Sequence, residues 1–187
     1  MRFITFSMLD GEIYIIRRAV EGDSSAFGLL YDHYQPKIYR FTLVKVNHRE
    51  EAEDLTHQVF LRAWQSIESY RDLGFPFSSW LYKIARSQVA DYYRTKKIAV
   101  SLESINSEGI PAEHSLHGNL TDKLEVERVK NAVRQLKPEY QDVIMMRFVE
   151  DLAIRETALA TGRSEGAIKL LQHRAIKELK KILSGNI

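Results

Sequence analysis

Apolar residues recur every three or four positions through almost the whole chain, and the recurrence lapses over one long interior stretch. That spacing puts apolar side chains on one face of a helix, whereas a half-buried strand would alternate with period two. Period-two stretches are few and β-branched runs are short, so the expected fold is all-α. The first helix is predicted from near Asp10 to Gly22. Asp23 or Ser24 then caps a second helix, with Phe27, Leu30, Tyr31, Tyr34, Ile38 and Phe41 on one face. Pro36 lies inside this pattern, so a kink or a break is expected there. A third helix is predicted from Arg49 to about Ser69, its first turn acidic as the helix dipole favours. The loop Tyr70 to Pro76 precedes a fourth helix, starting at Phe77 or Ser78.

The lapse runs from Thr95 to about Thr121 and holds Ser101, Ser104, Asn106, Ser107, Gly109, Pro111, Gly118 and Asn119. At roughly 25 residues it exceeds the usual connections inside a compact domain, and it reads as a flexible linker. Helical segments are predicted beyond it at about 122–135, 138–149, 153–161 and 164–183. The expectation is two helical domains joined by a flexible linker, the C-terminal one containing a helix-turn-helix.

Composition removes several classes of function. The chain of 187 residues is 44% apolar and has no cysteine. Disorder of the whole chain, disulfide scaffolds, thiolate metal sites and thiol nucleophiles are thereby excluded. No apolar run approaches the roughly 18 residues of a membrane span. Met1 to Leu9 is apolar but too short for a secretory signal, so a cytoplasmic protein is the default expectation. The net charge of +2 hides an asymmetry. Residues 1–94 carry twelve Lys/Arg and twelve Asp/Glu, while residues 152–187 carry seven and three. A basic C-terminal segment suggests an anionic partner, most often nucleic acid, although a solvated helix face would look the same.

The strongest local pattern is DLAIRETALATGRSEGAIKLLQHRA, residues 151–175. A short helix stops at Gly162, and Ser164 caps a second one after a tight turn, as in a helix-turn-helix. The second helix should bury Ile168, Leu171, Ala175 and Leu179. That leaves Ser164 and Glu165 at its start and Lys169, Leu170, Gln172, His173, Arg174 and Lys177 away from the core. Such side chains can meet phosphates and base edges in a major groove. An ordinary helical hairpin with a charged outer face is the alternative.

A second cluster interleaves Trp80, Tyr82, Tyr92 and Tyr93 with Lys83, Arg86, Arg94, Lys96 and Lys97. Aromatic faces stack on unpaired bases while cations hold the backbone. Equally, the aromatics can be core and the cations can decorate a helix end. A third cluster, Glu50, Glu51, Glu53, Asp54 and His57, could be read as a metal site because Glu53 and His57 lie one turn apart. No second carboxylate–histidine pair supports that reading, and an acidic first turn explains the residues. No P-loop, GxGxxG or GxSxG is present, so no catalytic centre and no cofactor are expected.

Five phrases together resemble the bacterial RNA polymerase sigma factors of the extracytoplasmic-function (group 4) subclass. They are AFGLLYDHYQPKIYRF (26–41), REEAEDLTHQVFLRAW (49–64), FSSWLYKIARSQVADYYR (77–94), VRQLKPEYQDVIMMRFVEDLA (133–153) and GRSEGAIKLLQHRA (162–175). The resemblance implies a domain over 10–97 for the polymerase clamp and the minus-ten element, a linker over 98–121, and a domain over 122–183 for the minus-thirty-five element. It implies a clamp contact at or beside Asp54, Leu55, Gln58, Val59, Phe60, Leu61, Arg62 and Trp64. It implies minus-ten contacts from Tyr70, Arg71, Asp72, Phe75, Ser79, Arg86, Ser87, Asp91, Tyr92 and Arg94. The minus-thirty-five contacts would come from Ser164, Glu165, Lys169, Leu170, Gln172, His173, Arg174 and Lys177. Leu170 would touch a thymine methyl or simply be exposed. The linker would thread through the polymerase.

The implied partners are core RNA polymerase, at its clamp and flap, promoter DNA and an anti-sigma factor, without membrane insertion. Ser87 stands where the family often has Asn, Thr157 and Thr161 where it usually has aliphatic residues, and Leu171-Gln172 where a basic-then-aliphatic pair is common. Met8 directly precedes the family-like helix, so deletion of residues 1–7 is expected to leave transcription unchanged. Two other classes remain at this point: a stand-alone helix-turn-helix regulator with a sensory front domain, and a helical metalloenzyme built around Glu53 and His57.

Overall fold

The computed structural model describes residues 11–72, 74–102 and 120–185, without the side chains of 97–102 and 120–123. The expectations for Met1 to Leu9, for Leu73 in the loop and for linker residues 103–119 lie outside the described residues. Eight α-helices are formed among the described residues: α1 (Glu12–Val20), α2 (Ser24–Val46), α3 (Arg49–Ser66), α4 (Phe77–Leu102), α5 (Leu120–Arg134), α6 (Pro138–Ile144), α7 (Ile154–Thr161) and α8 (Glu165–Leu183). A 3-10 turn, Ile67–Ser69, follows α3, and a π-helical stretch, Met145–Val149, follows α6. No strand occurs among the described residues.

The expected caps form. The Asp23 carboxylate accepts hydrogen bonds from the N–H groups of Ser25 and Ala26, at 2.9 and 3.1 Å. This satisfies two donors that the first turn of α2 leaves unpaired. At its other end Asn47 takes φ 54°, a left-handed conformation that asparagine tolerates better than most residues. The expected break at Pro36 does not occur, and α2 runs through it. A proline inside a helix costs about 3 kcal/mol through one lost bond and a clash. Leu30, Ile38 and Phe41 on the same helix are each fully buried, and each such side chain contributes about 1.5–3 kcal/mol. Burial on both sides of the proline therefore outweighs it.

Helix α4 ends later than the sequence suggests, at Leu102. Nothing between Thr95 and Leu102 is glycine or proline, so no breaker stops it. The connecting stretch is correspondingly shorter, because α5 begins at Leu120.

Helices α1 to α4 pack around one core that includes the fully buried Leu30, Ile38, Phe41, Val59, Phe77, Leu81 and Tyr82. Between α2 and α3 the buried Thr42 hydroxyl lies 3.0 Å from that of Thr56 and within bonding distance of the Ala52 and Tyr39 carbonyls. The buried Tyr34 hydroxyl donates to the Glu12 carboxylate at the start of α1. Burial and that bond hold the phenol well above its ordinary pKa. Helices α5, α6 and α8 share a second small core of Val133, Leu136, Ile144 and Ala175. A third, of Val143, Ala158, Ile168 and Leu171, joins α6, α7 and α8.

The two halves pack against each other. Met145, Met146, Leu152 and Ala160 from the back half belong to the core of the front half. Helix α7 lies along α4. Arg86 on α4 donates to Asp142 on α6 at 2.8 Å and to the Ala160 carbonyl at 3.3 Å. The other Asp142 oxygen lies 2.6 Å from the Lys45 ammonium on α2. Arg40 grips both oxygens of Glu150, at 2.9 and 3.0 Å. Burial pushes the Lys45 ammonium down, against the pull of Asp142, and pushes the Glu150 carboxyl up, against the pull of Arg40.

Candidate functional site

The α3 surface divides cleanly. Asp54, Gln58, Leu61 and Arg62 are exposed, Leu61 at 58%. Spacing of four places Asp54, Gln58 and Arg62 on one face. Leu55, Val59 and Phe60 are buried in the front core and have no surface to offer a partner. They lie beside that face and hold α3 in place, since a helix has only one outward side. Trp64 is half-buried, with its ring centroid 4.9 Å from that of Phe27.

Beside this face lies a shallow groove of about 570 Å³ between α3 and α4. Gln58, Leu61 and Arg62 line one wall, and Trp80, Lys83, Ser87 and Asp91 line the other. The groove thus brings residues assigned to the clamp together with Ser87 and Asp91, assigned to DNA.

The 70–76 loop is less open than its sequence suggests. Tyr70 is buried against Phe77 and Trp80, with ring centroids 5.4 and 5.3 Å away. Burial pushes its phenol up to about 12. Ser79 is also fully buried. Neither offers an open surface in this conformation: the loop must close the end of the α3–α4 core, and Tyr70 does so. Arg71 and Asp72 are exposed. The Arg71 guanidinium donates to the carbonyls of Glu68 and Tyr70, and the Asp72 carboxylate accepts from the Gly74 N–H at 2.9 Å, so both brace the turn. Phe75 is half-buried, and the Arg155 guanidinium of α7 sits 4.5 Å from its ring centre, a cation–π distance.

Further along α4, Arg86 is committed to Asp142 and Ala160 as described, while Ser87 is exposed. Asp91 pairs with Arg94 at 2.9 Å. Tyr92 accepts a bond from Lys96, which also reaches Glu51 at 2.9 Å. Those two bonds hold the Lys96 ammonium above its ordinary pKa. Of the interleaved aromatics, Tyr82 is core and Tyr93 is exposed, so the cluster is partly core and partly surface.

The helix-turn-helix forms at the expected place. Gly162 adopts φ 67° and ψ 31°, the left-handed conformation that a residue with a Cβ disfavours. The N–H groups of Gly162 and Arg163 bond back to the carbonyls of Leu159 and Ala158. The Ser164 side chain accepts from the Ala167 N–H at 3.2 Å and starts α8. Ile168, Leu171 and Ala175 are buried and Leu179 is half-buried. Glu165, Lys169, Leu170, His173, Arg174 and Lys177 stand exposed along one side, Leu170 at 50%. Gln172 departs from the expectation: it is half-buried, and its carbonyl oxygen accepts from Arg147 at 3.0 Å. Thr157, where the resembling family has an aliphatic residue, is fully buried and returns its hydroxyl proton to the Ala153 carbonyl at 3.0 Å. That local bond lets a hydroxyl occupy an apolar site. Thr161 does the same with Thr157, at 2.7 Å.

Glu53 of the acidic cluster pairs with Arg49 at 2.9 Å. No group of three or more metal-ligating side chains converges among the described residues. No helix among them is long and apolar enough to cross a membrane. Sequence reasoning missed Arg40, Lys45, Asp142, Glu150 and Arg155. Arg40 pairs with Glu150 across 110 positions and Asp142 with Arg86 across 56, and Lys45 and Arg155 likewise meet distant partners that no local pattern marks.

Comparison with known proteins follows the two halves. Residues 30–98 match Sigma-70 region 2, and residues 127–179 match Sigma-70, region 4. The ECF RNA polymerase sigma factor BldN of Streptomyces coelicolor is 37% identical over 172 residues, covering 90% of this chain and 64% of BldN. The ECF RNA polymerase sigma factor SigW of Bacillus subtilis is 29% identical over 177 residues, covering 90% of this chain and 94% of SigW. In three dimensions the chain is similar to CnrH, solved in complex with the cytosolic domain of CnrY, with a TM-score of 0.72, 20% identity and coverage of 95% and 99%. The sigma factor RpoE of Bartonella quintana, solved with the anti-sigma factor NepR, also has a TM-score of 0.72 at 20% identity, with coverage of 86% and 98%. These two likenesses bear on the fold. Sigma-70 region 2 and region 4 on one helical chain, in that order and over the two halves described, place the protein in the ECF branch of the RNA polymerase sigma factors.

Proposed function

We propose that this chain is a promoter-specificity subunit: it joins core RNA polymerase, positions it on promoter DNA, assists melting and has no enzymatic activity of its own. The observation that carries the reading is the pairing, on one chain, of a sigma-70 region 2 with a helix-turn-helix whose outer side is exposed and basic. The domains run over 10–97 and 122–183, and the linker between them is shortened by the helical ends at Leu102 and Leu120. Asp54, Gln58, Leu61 and Arg62 meet the polymerase clamp, with Trp64 at the edge of that face. Arg71, Asp72, Phe75, Arg86, Ser87, Asp91, Tyr92 and Arg94 serve the melted minus-ten strand. Ser164, Glu165, Lys169, Leu170, His173, Arg174 and Lys177 serve the minus-thirty-five duplex, with Gln172 bracing α8 through Arg147.

Duplex contacts fix register through phosphates and base edges. Capture of unpaired bases offsets an unstacking cost of a few kcal/mol. The polymerase holds the two modules together, so each contact raises the effective concentration of the other. The solved complexes of CnrH and RpoE extend this reading to an anti-sigma partner, and a polymerase subunit acts in the cytoplasm. Run-off transcription with core polymerase, this chain and a pool of genomic promoter fragments tests the reading. Promoter-dependent products are expected, and their complete absence would overturn it.

A further inference from the structure

A second cavity, of about 620 Å³, lies between α2 and α4 on one side and the end of α5 and the start of α6 on the other. Small-molecule sites span roughly 300–1,000 Å³, so it is large enough to hold a ligand. Its lining is unequal in charge: Lys45, Lys83, Arg86 and Arg134 meet one carboxylate, Asp142. Asp142 already serves both Lys45, at 2.6 Å, and Arg86, at 2.8 Å, so a single negative charge offsets two positive ones. Lys83 is exposed and forms no ion pair among the described residues. The buried Arg134 Nε has no hydrogen-bond partner, and a terminal nitrogen of the same guanidinium donates only to the neutral Asn131 amide, at 3.0 Å. A buried donor without an acceptor is costly and rare, and one carried by a cation at a cavity wall calls for an anion.

Much of the remaining lining is apolar. Val89 and Leu136 are buried, while Ala90 and Pro138 are exposed. Tyr93 also lines the cavity and is 47% exposed, and its hydroxyl donates to the Lys45 carbonyl at 2.5 Å, which holds the ring in place.

We propose that this cavity is a binding site for a nucleoside 5′-diphosphate or triphosphate, its phosphates on Lys83 and Arg134 and its base against Tyr93 and the apolar lining. The guanidinium fork matches phosphate oxygens, and the lysine adds a mobile point charge. Three uncompensated positive charges exceed what one carboxylate would balance, which favours a polyphosphate over a simple organic acid. A held aromatic ring beside aliphatic side chains suits a flat base.

Isothermal titration calorimetry of the full chain with adenosine and guanosine 5′-diphosphates and triphosphates, free of divalent cations, tests the site. Saturable one-to-one binding is expected. Adenosine and inorganic phosphate, each supplying half of the recognition, are expected to bind at least about tenfold more weakly. Lys83→Ala with Arg134→Ala removes two charge-assisted contacts and is expected to weaken nucleotide binding at least about tenfold. Ala90→Trp keeps every cation and fills the cavity, so binding is expected to be lost. Lys137→Ala removes an exposed cation outside the lining and is expected to leave binding unchanged. Each variant is compared with the parent at temperatures where their far-ultraviolet circular dichroism coincides.

No saturable binding by any of these nucleotides would overturn the site. Undiminished binding in the Lys83/Arg134 double variant or in Ala90→Trp would do the same. Equal weakening by Lys137→Ala would reduce the effect to adsorption on a basic surface. Binding of a single-stranded oligonucleotide, with none by any nucleotide, would assign these cations to a nucleic-acid backbone and reject the small-molecule ligand. The promoter reading is decided separately, by run-off transcription.

Discussion

Residues of the same chemical type are sorted by burial into different roles. Tyr70 and Phe75 look equivalent in the loop, yet Tyr70 completes the core with Phe77 and Trp80 while Phe75 lies under Arg155. The buried phenol makes a pH-dependent contribution. Its pKa in the fold, about 12, exceeds the ordinary value near 10. The stability it supplies is therefore fully present below pH 10 and declines as pH rises from there through 12. Spectrophotometric titration is expected to show a tyrosine ionising near 12 that is missing in Tyr70→Phe; an unchanged titration would reject the placement. Thr42 illustrates a buried polar group with partners on two helices. Thr42→Val removes the donor and leaves acceptors at Ala52 and Tyr39 less satisfied, so a loss of about 0.5–1.5 kcal/mol is expected in urea unfolding. On α8, Lys169 and Arg174 are both exposed, and their chemistry divides them. Arg174→Ala is expected to cost about 1–3 kcal/mol and relax one base position, while Lys169→Ala weakens binding across all sequences. Two identical profiles on randomised upstream elements would refute the split.

At the scale of elements, the turn between α7 and α8 depends on one backbone conformation. Gly162 has no neighbouring atom within 4 Å of where a Cβ would stand, so Gly162→Ala meets no clash. Its penalty comes from φ 67° alone, and a loss of about 1–2 kcal/mol is expected in thermal unfolding of the full chain. A neutral result would mean the turn relaxes to another conformation. Helix α3 offers a different test. Charge reversal at Asp54 and Arg62 together changes only exposed positions, so the fold should persist while co-purification with core polymerase weakens. Undiminished co-purification would remove α3 from the clamp contact. Most of these helices were legible in the sequence because caps, breakers and three-to-four spacing act within one or two turns. The reading failed at two places, for different reasons. Core packing on either side carried α2 through Pro36, and the absence of any breaker carried α4 to Leu102.

At the scale of the whole molecule, the back half has small cores of its own but also shares the front half's interior. Met145, Met146, Leu152 and Ala160 are buried against the front half, so a fragment of residues 120–185 would present them to water. Burial of a Met or Leu side chain contributes about 1.5–3 kcal/mol. The fragment is therefore expected to unfold at a clearly lower temperature than the same helices in the full chain, as calorimetry would show. Equal midpoints would mean that the contact between halves adds nothing to stability. The same contact explains why part of the candidate site was hidden from the sequence. Arg86 was legible as a cation on a helix with aromatics, but its partner Asp142 lies 56 positions away.

The sequence by itself determined the helical class, most of the places where helices start and stop, the glycine turn before α8 and the exposed basic side of that helix. Each follows from interactions between residues a few positions apart, and such interactions are written in local spacing. Only the tertiary structure decided that Tyr70 and Ser79 became core alongside Leu55, Val59 and Phe60, and which distant charges meet. Those outcomes depend on how whole helices pack. A buried cation and its carboxylate are matched by the geometry of that packing, which no local window of the chain contains.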